Sequence, residues 1–174
     1  VDEVLEVAKS FSKDGTHEAI VAVLDAAKEF DSWQQAVKSG KLRDAIRPFD
    51  TVGEKYRQPD MGAKMPGRDK SIEELPIALG MLKIAKGDIR ETILGGTNYG
   101  RDADSIASMG GAIAGALQGE QKLPVDWVEG VQNASETDIT GPGVALANVA
   151  IEIAKADIDE AKANLEVLKK ISDS

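Results

Sequence analysis

Apolar residues recur at spacings of three and four along most of the chain, and nowhere do they alternate with polar ones in steps of two, so the pattern predicts helices and no strands. Val4, Leu5, Val7, Ala8 and Phe11 form the first stripe, with Asp2 as its expected N-cap and Asp14-Gly15 as its break. Thr16 is placed to cap a second helix, whose buried stripe runs through Ala19, Ile20, Val23, Leu24, Ala27 and Phe30. Asp31-Ser32 caps a short third helix that carries Trp33, Ala36 and Val37 and ends at Gly40. A further turn or two from Lys41 to Arg47 stops at Pro48.

Between Pro48 and Lys70 the periodicity fades and Pro, Gly, Tyr and basic residues accumulate, which predicts a long surface excursion. Ser71 and Glu74 form a capping box for a helix through Leu75, Leu79, Leu82 and Ile84, closed by Gly87. Asp88 caps another short helix through Ile89, Ile93 and Leu94, which then meets Gly95-Gly96. From Ala107 to Gly119 small residues dominate, a composition that suits a fully buried central helix whose neighbours approach closely. A short helix around Trp127 and Val131 follows, then the breaker Thr140-Gly141-Pro142-Gly143 and a last helix from about Val144 to Ile171. The fold class is all-α.

At 174 residues the chain is long enough to bury a core of its own. Its 21 basic and 30 acidic residues leave a net charge of −9, which disfavours nucleic acid and anionic membranes as partners. No apolar run reaches the roughly 20 residues of a membrane span, and a cytoplasmic location is expected. The absence of Cys excludes disulfides, thiolate zinc sites and a cysteine nucleophile, and the single His17 excludes multi-histidine sites. The metal chemistry left is that of carboxylates and hydroxyls.

Asp102-Ala103-Asp104-Ser105 offers three hard oxygen donors within one turn, the donor type that Mg²⁺, Mn²⁺ or Ca²⁺ prefers. The same residues also suit the first turn of any helix, where acidic and hydroxyl groups meet the helix dipole and unpaired N–H groups. A calcium loop counted from Asp102 fails, because Ala107 stands where glycine is needed and Ile113 where the bidentate Glu belongs. His17-Glu18 has Val21 in place of a second His, Gly141-Pro142-Gly143 lacks a third glycine, and Gly80 to Gly87 leads to Asp88 instead of Lys-Ser or Lys-Thr. Zincin, dinucleotide-loop and P-loop chemistry therefore drop out.

Asn98-Tyr99-Gly100-Arg101-Asp102-Ala103-Asp104-Ser105-Ile106-Ala107, the small-residue run to Gly119, and Leu123-Pro124 with Trp127 resemble the C-terminal signature of the ADP-ribosylglycohydrolase family. The resemblance covers about residues 71–131, while 1–70 and 135–174 carry no motif that matches. It implies an all-helical fold and a two-ion Mg²⁺ or Mn²⁺ centre at which a ribosyl bond is hydrolysed. Carried over by position, Asp102, Asp104 and Ser105 are its metal ligands, with Asp104 the expected bridge. Asn98 and Gly100 shape the loop beneath, and Arg101 either balances the carboxylates or faces a ligand phosphate.

The family's Thr/Ser-Asp-Asp element and its N-terminal glutamate segment, which supply the remaining ligands and the catalytic acid, have no match here. The resemblance thus makes residues 1–174 the C-terminal portion of one domain, incomplete without an N-terminal half on a second chain. The start at Val1, already inside an amphipathic pattern, agrees with that expectation. The expected partners are then that half and an ADP-ribosylated or related ribosylated substrate. The alternative is a non-catalytic helical interaction module that keeps the family fold. Tyr56 and Arg57, with Lys64 and Arg68, are the loop residues suited to stacking on a base and pairing phosphates.

Overall fold

The computed structural model describes residues 1–49 and 72–172. Every regular element among them is helical: α1 (Asp2–Phe11), α2 (Asp14–Ala27), α3 (Trp33–Ser39), α4 (Lys41–Ile46), α5 (Glu74–Ile84), α6 (Ile89–Tyr99), α7 (Ala103–Gln118), α8 (Val125–Ser135) and α9 (Gly141–Ser172), with 3₁₀ turns at Arg47–Phe49 and Glu120–Lys122. The all-α class is as the sequence predicts. The chain divides into two compact units, Val1–Pro124 and Val125–Ser174.

In the first unit the helix ends follow local chemistry. Ser32 accepts the Gln35 N–H at the start of α3, and Asp88 accepts the Glu91 N–H at 2.9 Å at the start of α6. Gly40 ends α3 in the left-handed conformation. Two starts differ from expectation. Val1 takes the N-cap position of α1 in place of Asp2, and α2 begins at Asp14, so Gly15 and Thr16 lie inside its first turn. The Ser71 capping box falls outside the described residues.

The central helix is α5. Between Glu74 and Lys83 its sequence is apolar on all sides, and Pro76, Ile77, Ala78, Leu79, Met81 and Leu82 are all buried. A helix hydrophobic all round belongs in the interior. Ile77, Ala78, Met81 and Ile84 join a core with Val23, Leu42, Tyr99 and Ile106, whereas Leu79 and Leu82 join a second core with Leu5, Ile20, Leu24, Ile89 and Ala114. α5 is thus the wall shared by two apolar clusters.

The small-residue helix α7 is not the buried centre that its composition suggests. It buries one stripe, Ile106, Gly110 and Ala114, at a spacing of four, and Asp104, Ser108 and Ala112 are exposed. Small side chains serve close approach on that one side. Gly96 of α6 sits so near α7 that a Cβ there would lie 2.9 Å from the backbone N and Cα of Ala107. This also explains why Gly95-Gly96 does not end α6, which continues to Tyr99.

In the second unit, α9 begins at Gly141, so the Gly141-Pro142-Gly143 breaker forms its first turn. Proline suits that position, where its missing N–H has no helical partner. Asp138 organises the start. Its Oδ1 accepts from the N–H of Thr140 at 3.0 Å, the N–H of Gly141 at 2.9 Å and the Thr140 hydroxyl at 3.1 Å. These bonds hold its carboxyl below the ordinary Asp range. No described helix is long and apolar enough to cross a membrane.

Candidate functional site

The candidate ligands meet at the start of α7. Asp102 occupies its N-cap position but makes no side-chain capping bond. Its Oδ1 instead accepts the Ser105 hydroxyl at 3.1 Å, which brings the two oxygen groups onto one side of the turn, both partly buried. Asp104 is exposed in the first turn, where the helix dipole favours an anion. Among the described residues no group of three or more His, Asp or Glu is assembled into a metal cage.

What fixes this turn is the loop before it. Gly100 has φ 84° and ψ −159°, a region essentially closed to residues with a Cβ. Arg101 follows at φ 58°, a left-handed conformation that costs a non-glycine residue about 1–2 kcal/mol. An ion pair offsets that cost. Arg101 Nε lies 2.8 Å from Oε2 of Glu73, whose side chain is only 3% exposed. The other oxygen, Oε1, accepts the Tyr99 hydroxyl at 2.7 Å.

Glu73 therefore joins three chain segments: the start of α5, the end of α6 and the loop into α7. Arg43 of α4 adds a fourth, since its guanidinium lies 5.3 Å from the centre of the Tyr99 ring and donates to the Tyr99 carbonyl at 3.3 Å. Burial, and then the bond to Glu73, push the Tyr99 phenol well above its ordinary value of 10.0, against a smaller opposing effect of Arg43. A neutral tyrosine donating to a buried carboxylate is the stable arrangement.

The remaining predicted residues fall as follows. Asn98 is exposed and donates to the Leu94 carbonyl at 2.8 Å, one turn back on its own helix. Gly100 makes the turn, and the Arg101 side chain is directed to Glu73, which answers the charge that its sequence position left open. Tyr56, Arg57, Lys64 and Arg68 lie outside the described residues. Glu73, Tyr99 and Arg43 are the members that sequence reasoning misses. Tyr99 stands inside the recognised stretch, but nothing local marks its hydroxyl for a glutamate 26 residues earlier.

The same stretch and its surroundings have counterparts in known proteins. The model of the ADP-ribosylglycohydrolase family matches residues 2–161, which extends the likeness over α1 to α4 and into α9, where no motif is visible by eye. The chain is similar to ADP-ribosylhydrolase ARH3 of Homo sapiens, 38% identical over 55 residues, a stretch that is 32% of this chain and 15% of the human protein. The proteins of the same name from Mus musculus and Bos taurus are each 37% identical over 51 residues, 29% of this chain and 14% of theirs. No solved structure matches the chain.

Proposed function

The chain belongs to the ADP-ribosylglycohydrolase family, and on that premise we propose that it is part of a hydrolase cleaving the N- or O-glycosidic bond of an ADP-ribosyl or related ribosyl group. The observation that carries this reading is the Asp102–Ser105 contact: an N-cap carboxylate that does not cap its helix, held beside a hydroxyl.

The donor set fits a hard divalent cation. Asp102, Asp104 and Ser105 are all oxygen donors on one turn, and two of them are already within 3.1 Å of each other. They would hold Mg²⁺ or Mn²⁺. Such ions supply Lewis acidity and a template for the ribose hydroxyls and a water. The chain's own part is positioning. Gly100 and Arg101 set the path of the loop, Glu73 anchors it from below, and the Ser105 hydroxyl orients the Asp102 carboxylate.

Three donors do not fill two octahedral sites. The proposed enzyme then draws further ligands and its general acid from a segment outside these 174 residues that carries a Thr/Ser-Asp-Asp element, and a second chain is the form we propose for it. The test is calorimetric titration of ADP-ribose into the native complex with and without Mg²⁺, followed by release of ADP-ribose from an ADP-ribosylated protein. Binding only with Mg²⁺ is expected, together with loss of hydrolysis in Asp104→Asn while the helical circular dichroism is unchanged. Retained hydrolysis in that variant would remove the metal assignment. A complex indifferent to ADP-ribose would remove the substrate class.

A further inference from the structure

Gly100 separates two residues that are each held from outside the loop. Glycine has the widest backbone freedom of any residue, so a chain that passes through Gly100 at φ 84° on its way to Asp102 keeps one path only if its neighbours are fixed. After the glycine, Arg101 is fixed through Glu73. Before it stands Tyr99, whose hydroxyl also reaches Glu73 at 2.7 Å. A bond made by the phenol leaves the main chain beyond the Tyr99 Cα free to turn, and a second hold is applied there: the Arg43 guanidinium donates to the Tyr99 carbonyl at 3.3 Å. Because the peptide unit is planar, orienting that carbonyl also orients the N–H of Gly100.

We propose that Arg43 is a positioning residue for the Asp102 and Ser105 ligands, acting through Tyr99; the proposal rests on the metal-site reading above. Arg43 pairs with no carboxylate among the described residues. Its neighbour Asp44 is bound to Arg47 at 2.5 Å, and Glu73 serves Arg101 and Tyr99. The guanidinium turns instead to the Tyr99 ring, 5.3 Å from its centre, and to the last carbonyl of α6, where the helix dipole favours a cation. The base of the side chain is rigid. Leu42 and Ile46, on either side of it in α4, are each 1% exposed and share an apolar cluster with Tyr99 and with Ile106 of α7.

The effect of such a hold is on affinity. With Arg43 removed, the Tyr99–Gly100 peptide can turn, and Asp102 and Ser105 stand in the binding arrangement for only part of the time. A cation must then select that fraction, so more of it is needed to fill a site that is unchanged once filled. Lysine is a poor substitute, because a planar fork can lie over the ring and donate to the carbonyl together, whereas an ammonium is a single point of charge.

Arg43 is exposed, so it can be replaced without opening the core. Backbone nitrogen relaxation by NMR on the full chain, without metal, reads the loop itself. Order parameters of Gly100 to Asp102 are expected near the ~0.85 of rigid backbone in the parent and below about 0.6 in Arg43→Ala, with those of α5 unchanged. Arg47→Ala, which removes the neighbouring arginine, is expected to leave the loop as it is. In the native complex the Mg²⁺ concentration for half-maximal ADP-ribose binding is expected to rise about tenfold in Arg43→Ala and less in Arg43→Lys, with binding at saturating Mg²⁺ equal to that of the parent. A residue that only stabilised the fold would lower the melting temperature and shift neither readout. Unchanged order parameters in Arg43→Ala, or a loosened loop with an unchanged Mg²⁺ requirement, would each overturn the proposal. A parent complex that ignores Mg²⁺ would instead remove the metal-site reading, and the relaxation data would still decide whether Arg43 holds the loop.

Discussion

Arg101 and Glu73 are bound at 2.8 Å, an exposed arginine in a left-handed backbone conformation and a glutamate buried at the head of the central helix. This pair ties the loop that presents Asp102, Asp104 and Ser105 to the interior of the fold.

Glu73→Gln keeps the shape of the side chain and removes its charge. A charge-assisted bond is lost and the remaining amide must serve both Arg101 and the Tyr99 hydroxyl, so a destabilisation of about 1–3 kcal/mol is expected. Urea unfolding measures it directly. A change within about 0.5 kcal/mol, the scatter of ordinary surface substitutions, would mean that the pair does not anchor the loop.

Tyr99 gives the same network a pH signature. Its phenol is raised in the folded chain relative to the unfolded one, so above pH 10 the unfolded state loses a proton that the folded state keeps. Folding stability is then fully present below about pH 10 and falls as pH rises beyond it. Tyr99→Phe should lower stability at neutral pH by about 1–3 kcal/mol, through the carboxylate oxygen left without its donor, and flatten the alkaline decline. Parallel slopes for the two proteins between pH 9 and about 11 would contradict the raised phenol.

Two glycines predict opposite signs for one substitution. At Gly96 an added methyl meets the Ala107 backbone at 2.9 Å, and α6 and α7 must separate, so Gly96→Ala is expected to cost about 1–3 kcal/mol. At Gly115, inside α7, the same methyl meets nothing within 4 Å, and Gly115→Ala should stabilise by about 0.4–1 kcal/mol through the unfolded chain. Thermal unfolding of the two variants decides. Equal effects would refute the close approach.

Ser105 separates a donor from a space-filler. Ser105→Thr retains the hydroxyl and is expected to preserve Mg²⁺-dependent ADP-ribose binding by the native complex, whereas Ser105→Ala should weaken it about 10- to 100-fold. Calorimetry on both variants checks this, and an alanine variant that binds as the parent does would exclude Ser105 from the site.

Features set by neighbours along the chain are legible in residue type alone. Ser32, Asp88 and Gly40 act three or four residues away, and their capping roles need no knowledge of what packs against them. The stretch from Asn98 to Gly119 is equally readable, and the family it resembles is the one whose model matches. Features that depend on distant partners are not legible in this way. Gly95-Gly96 reads as a helix stop, yet Met81 and Trp33 crowd Gly95 and α7 approaches Gly96, so the missing side chains are an advantage at both. Small residues imply close neighbours and so suggest a central α7, but closeness on one side is not burial on all sides. The largely apolar α5 is the central helix instead, and the two-sided burial that makes it so depends on which helices flank it. Glu73 carries no local mark, since its meaning comes from Tyr99 and Arg101 much later in the chain.

The position of α5 between two apolar clusters has a consequence for how the unit melts. Because Met81 faces one cluster and Leu82 the other on adjacent residues of one rigid rod, neither cluster can open without displacing a wall of its neighbour. The two behave as a single cooperative body. Hydrogen exchange in α2, α5 and α7 should then proceed through one shared opening event, with a common response to denaturant.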